Sequence, residues 1–82
     1  MNSETHAIYV GQTQRELAIL KATYGQTLDM LQQRLNETRE KLGRGRVTNH
    51  DAFNMSATLQ DLAVLAGKIE AVTGILAMLE AK

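Results

Sequence analysis

From Met55 onward the chain places an apolar residue every seven positions: Met55, Leu62, Ile69 and Leu76. A second row lies three further on, at Thr58, Leu65, Val72 and Leu79, with threonine its one weak member. Alternating steps of three and four put both rows on one stripe of an α-helix, the pattern of a helix that lies against another helix. The 82 residues contain no proline, and Leu, Ala, Gln, Glu, Lys and Arg are abundant. These residues favour helix, so the chain is expected to be all-α.

The partner for that stripe lies upstream. Between Thr13 and Leu42 the apolar positions are Leu17, Leu20, Tyr24, Leu28, Leu31, Leu35 and Leu42, again one helical stripe. Arg15, Gln26, Gln33, Glu37 and Glu40 form the opposite, solvated face. Gly25 interrupts this helix at a cost of about 1 kcal/mol relative to alanine. "GQT" occurs at Gly11 and at Gly25, but it matches no phosphate-binding loop and is read as coincidence.

Between the two stripes lies "KLGRGRVTNHDAF", Lys41 to Phe53. Gly43 suits the left-handed residue that ends a helix. Thr48 or Asn49 suits an N-cap, and with Thr48 as cap Asp51 falls at the third helical position, near the positive helix end. The expected architecture is one domain, an antiparallel helical hairpin: arm 1–12, first helix 13–43, turn 44–48, second helix 49–81. Thr13 and Glu16 have capping-box spacing. The arm before them is expected either to begin a helix, as a separate helical turn that Ser3 or Thr5 could cap, or to be a short extended segment.

The second helix carries more apolar surface than a hairpin uses. Ala57, Val64, Ala71 and Met78 form a further row, and Leu59, Ala63, Ala66 and Ala77 widen it. A narrow polar strip remains near Gln60, Asp61, Lys68, Glu70 and Glu80, with Gly67 and Gly74 on it. One seam buries one stripe of each helix, so the surplus points to an interaction surface, met by a partner or by dimerisation into a bundle. The expected partner-binding residues are Leu62, Val64, Leu65, Ile69, Val72, Leu76, Met78 and Leu79. Some of these serve the hairpin's own seam. A chain this short is marginal alone, and without cysteine it has neither disulfides nor thiolate metal sites to lean on.

Other chemistries find little support. His6 and His50 are far apart, with no second ligand at helical spacing, so no metal is expected. Asp29, Asp51 and Asp61 are isolated, Ser3 and Ser56 lack a base, and a hairpin offers little concavity, so neither catalysis nor a cofactor is expected. Arg34, Arg39, Arg44 and Arg46, with Lys41, make a basic cluster that an acidic partner would suit. Cations also gather at a helix C-terminus because the macrodipole favours them. The nine cations balance nine anions, and no aromatic is interleaved for base stacking, which argues against nucleic acid. No signal peptide is visible, and the longest mostly apolar stretch, Ala71 to Leu79, is too short to span a bilayer. A cytoplasmic location is expected.

"LQQRLNETREKLGRG" (Leu31 to Gly45), a turn, a helix opening with Phe53, and then "LAVLAGKIEAVTGILAML" (Leu62 to Leu79) together resemble a known family. It is that of the small helical-hairpin co-chaperones of type III secretion needle subunits, the YscE type. The resemblance covers over half the chain and leaves the N-terminal arm unmatched. It implies a cytoplasmic protein that packs on and stabilises a tetratricopeptide-type chaperone, the pair holding the needle subunit unpolymerised. Two further readings stand beside it. One is a homodimeric four-helix bundle acting as a small regulator of phage or plasmid type. The other is an RNA- or DNA-binding hairpin using the four arginines.

Overall fold

A computed structural model describes residues 2–81 and contains two helices, α1 (Ser3–Gly43) and α2 (Asn49–Glu80), packed as an antiparallel hairpin. The all-α hairpin expected from the two stripes is what forms. The helices are 41 and 32 residues long, so at 1.5 Å per residue α1 outreaches α2 by about 14 Å.

The start of α1 differs from expectation. Residues 3–12 are neither an extended arm nor a separate turn, because the helix runs unbroken from Ser3. Asn2 is its N-cap, with the side-chain oxygen accepting from the Thr5 N–H at 2.7 Å. Thr13 caps nothing; its hydroxyl donates to the Tyr9 carbonyl one turn back at 2.8 Å. Gly11 and Gly25 are carried inside the helix. With no proline upstream, nothing in the sequence stops propagation toward the N-terminus.

Within the turn, the left-handed residue lies two positions later than expected. Gly43 is still helical, and the left-handed residue is Gly45, at φ 69°. The Arg46 N–H reaches the Lys41 carbonyl at 2.8 Å and the Gly45 N–H reaches the Leu42 carbonyl at 3.1 Å. That pair of bonds is a Schellman motif, which satisfies the last carbonyls of α1. Thr48 then caps α2, and both its N–H and its hydroxyl donate to Asp51 Oδ2, at 2.9 and 3.2 Å.

The hairpin is long and thin, 64 × 15 × 14 Å, with a radius of gyration of 18.6 Å. A compact chain of this length has about 12 Å. Among the described residues only Leu17, Leu62 and Val72 are buried apolar residues. The accessible surface is 6287 Å², against about 4,900 Å² for a compact monomer of this mass.

Candidate interaction surfaces

The seam follows strict heptads on both helices. On α1 it uses Leu17, Tyr24, Leu31 and Thr38 at position a, and Thr13, Leu20, Thr27, Arg34 and Lys41 at d; Val10 and His6 continue these rows on the part of α1 that extends beyond α2. On α2 it uses Met55, Leu62, Ile69 and Leu76 at a, and Asp51, Thr58, Leu65, Val72 and Leu79 at d. All of these except Lys41 are buried or half-buried. Two contacts fix the register. Lys41 Nζ meets Asp51 Oδ1 at 2.7 Å beside the turn, and Gln14 Nε2 meets Glu80 Oε1 at 3.3 Å at the far end.

This seam keeps Leu17, Leu20, Tyr24 and Leu31 of the stripe read from α1 and departs from it at the other three leucines. Leu28, Leu35 and Leu42 are exposed, and Thr27, Arg34 and Thr38 take the inward places. The cause lies in α2, whose apolar rows keep an unbroken seven-residue period. A helix packed along such a rows-of-seven seam has to present strict three-and-four spacing itself. After Tyr24 that spacing selects Thr27 and not Leu28. The seam is therefore apolar at the open end, where Leu17, Leu20 and Tyr24 lie level with Ile69, Val72 and Leu76. Beside the turn it is polar. Thr58, only 5% exposed, satisfies its hydroxyl on the Asn54 carbonyl of its own helix at 3.1 Å.

Lys41 and Asp51 clamp the polar half. The Lys41 hydrogen bond, followed by the Thr48 N–H, holds the Asp51 carboxyl down at about 2, and the Asp51 bond raises Lys41 above its ordinary value. Of the four arginines in the basic cluster, Arg34 is half-buried in the seam and Arg44 is paired with Glu40 at 2.8 Å. Arg39 and Arg46 are the exposed members outside those two ion pairs. A shallow cleft of about 80 Å³ opens here, lined by Arg34, Glu37, Thr38, Lys41, Asp51 and Asn54. Its two cations are balanced by two carboxylates, so it offers no net attraction to an anion. Among the described residues no three His, Cys, Asp or Glu side chains converge as metal ligands.

Of the eight residues expected to bind a partner, six (Leu62, Leu65, Ile69, Val72, Leu76 and Leu79) lie in the hairpin's own seam. Val64 and Met78 face solvent, 58% and 69% exposed. With Ala71 and Ile75 they form an apolar strip along one flank of α2. Asp61 and Lys68 border it on α2, and the exposed Glu16 and Glu37 lie on the same flank of α1.

The opposite flank carries a second apolar face, made of Leu28, Leu35 and Leu42, which stripe counting assigned to the α1 core stripe, and Leu59, which it assigned to the surplus surface of α2. Both members of the Gln14–Glu80 contact occupy heptad position e, so the e rows of the two helices lie on one side of the hairpin. In that register Leu28 is level with Ala66, Leu35 with Leu59, and Leu42 with Ala52. The four leucines are 44 to 67% exposed. Counting α1 in strict heptads from Leu17 would have found this face from the sequence.

Taken as a whole helix, α2 is also long and apolar enough to cross a membrane by length and composition, with 11% of its apolar window buried against α1. Counting only the uninterrupted stretch from Ala71 to Leu79 overlooked this. The span from Leu62 to Leu79 includes Lys68 and Glu70.

These features define the class as an all-α antiparallel two-helix hairpin with two exposed apolar flanks. Comparison with protein-family models, curated proteins and solved structures gave no match.

Proposed function

We propose that the chain is a small protein–protein interaction module, and that the strip of Val64, Ala71, Ile75 and Met78 docks on a helical partner. The observation carrying this reading is that α2 remains apolar outside a seam that is already filled. Exposed apolar side chains aligned on one helix flank and rimmed by charge are the usual mark of a docking surface. The resemblance from Leu31 onward supplies the finer reading. The chain is a cytoplasmic co-chaperone that stabilises a tetratricopeptide-type chaperone by binding only its folded form, and so helps keep a needle subunit unpolymerised.

The test is co-purification with the tagged chain, with the bound proteins identified by mass spectrometry. A tetratricopeptide protein and a needle subunit should be recovered. Val64→Glu with Met78→Glu should release them while the helical circular-dichroism signal is kept. Capture that survives both changes would remove this strip as the interface. Capture of a partner with no tetratricopeptide repeat would remove the co-chaperone reading. The length and apolarity of α2 favour one rival, insertion into a bilayer. Lys68 and Glu70 oppose it, because charges at membrane depth are costly. Flotation of the chain with lipid vesicles, resistant to high salt and to carbonate, would decide for the rival.

A further inference from the structure

We infer that the face formed by Leu28, Leu35, Leu42 and Leu59 is covered by a second copy of this chain. This face lies on the flank of the hairpin away from Val64 and Met78, so the proposal does not depend on the docking strip described above. Three features select a copy of the chain over another occupant.

The first is shape. An isologous interface brings one patch against itself, so the patch has to contain both projections and recesses. This face has the four leucines as projections. Its recesses are small residues on the same flank: Gly25 and Ala18 on α1, and Ala52, Ala63 and Ala66 on α2. Apart from its chain neighbours and the backbone of its own helix, nothing lies within 4 Å of a Cβ built at Gly25, so the recess there is open.

The second is charge. The flank carries Lys21 and Arg39 against Glu70 and Glu80, and the whole chain has a formal net charge of zero. Two copies therefore meet without net repulsion. An acidic or basic partner would find no complementary field here.

The third is area. The hairpin exposes about 1,400 Å² more than a compact monomer of its mass, and a stable interface of standard size takes about 800 Å² from each partner. A contact of that size is within the surplus of the elongated hairpin as a whole.

Sedimentation equilibrium of the full chain at about 100 μM, well above a micromolar dissociation constant, should return twice the 9.1 kDa chain mass. Leu35→Glu with Leu59→Glu should return a single chain mass with helical content retained. Val64→Glu with Met78→Glu should leave the dimer intact. A wild-type chain that is monomeric at this concentration would overturn the proposal, as would a dimer indifferent to the leucine changes. Should the leucine variant lose its helices, the wild type itself decides by methyl NMR over a dilution series. Leu35 and Leu59 signals should shift with concentration while Val64 and Met78 signals stay fixed. The reverse pattern would place the contact on the other flank and sink the proposal.

Discussion

Val64 and Val72 are a matched pair for testing the seam assignment. They lie on the same helix, eight residues apart, yet Val72 is 8% exposed and Val64 is 58% exposed. Val72→Asp removes a nearly complete valine burial, about 2 kcal/mol. It also places a carboxylate in the apolar half of the seam, beside Ile69 and Leu76 of its own helix and near the level of Leu20. Even with its pKa driven upward by desolvation, that group adds at least about 2 kcal/mol. The sum of about 4 kcal/mol reaches the lower end of the roughly 4–12 kcal/mol expected of a chain this size. Val72→Asp should therefore abolish the cooperative thermal transition. Val64→Asp exchanges one moderate helix former for another on an exposed flank, and its cost should stay within about 0.5 kcal/mol. The assay is thermal unfolding followed by circular dichroism at low micromolar concentration, where association contributes least. Equal melting temperatures for the two variants would refute the heptad seam, and so would a larger loss for Val64→Asp.

Four further outcomes follow from the same geometry. Thr58→Val should raise stability by about 1 kcal/mol, since a methyl replaces a buried hydroxyl bonded only to its own helix; chemical denaturation measures it. Gly67→Ala and Gly74→Ala should each add about 1 kcal/mol, because both positions are helical and open to a Cβ. Gly45→Ala should cost about 1 kcal/mol, because its positive φ disfavours any side chain; melting temperatures moving in opposite directions check both. The clamp sets a pH dependence: Asp51 is held down from 3.8 to about 2, so its contribution is complete above about pH 4 and is lost as pH falls through about 2. The Lys41 pKa is raised above 10.5, so its contribution is complete below that value and fades as pH rises through the raised one. Asp51→Asn should flatten the acid limb of stability against pH, and an unchanged limb would show that the clamp does not bear on folding.

The hairpin was legible because its determinants are local or periodic. The Thr48–Asp51 cap follows from three-residue spacing, and the α2 seam from seven-residue spacing. What escaped were features that depend on the other helix. Leu28 and Thr27 are adjacent, and α1 alone favours the leucine as core. Only the period of α2 forces the threonine inward. Likewise nothing near Gly43 shows that the helix takes it up and leaves the left-handed turn to Gly45; either glycine satisfies the sterics. The site was less legible still. Six of the eight residues first assigned to a partner were apolar because the seam needs them, and apolarity alone does not separate seam from surface.

The displaced leucines connect the fold to its need for company. A rotation of α1 beyond Tyr24 would turn Leu28, Leu35 and Leu42 inward, at the positions now held by Thr27, Arg34 and Lys41. It would also withdraw Lys41 from Asp51, and with it the clamp that joins the end of α1 to the cap of α2. The hairpin as it stands keeps the clamp and leaves the leucines outside. Covering them with another chain recovers their burial without breaking either the clamp or the Schellman turn. The turn-proximal half of the hairpin, where Thr27, Arg34, Thr38 and Thr58 interrupt the apolar seam and the leucines lie outside, is thus the part whose stability should rise most on association. Amide hydrogen exchange should report it, with protection near Leu35 and Leu59 increasing with protein concentration while protection near Leu17 and Leu76 changes little.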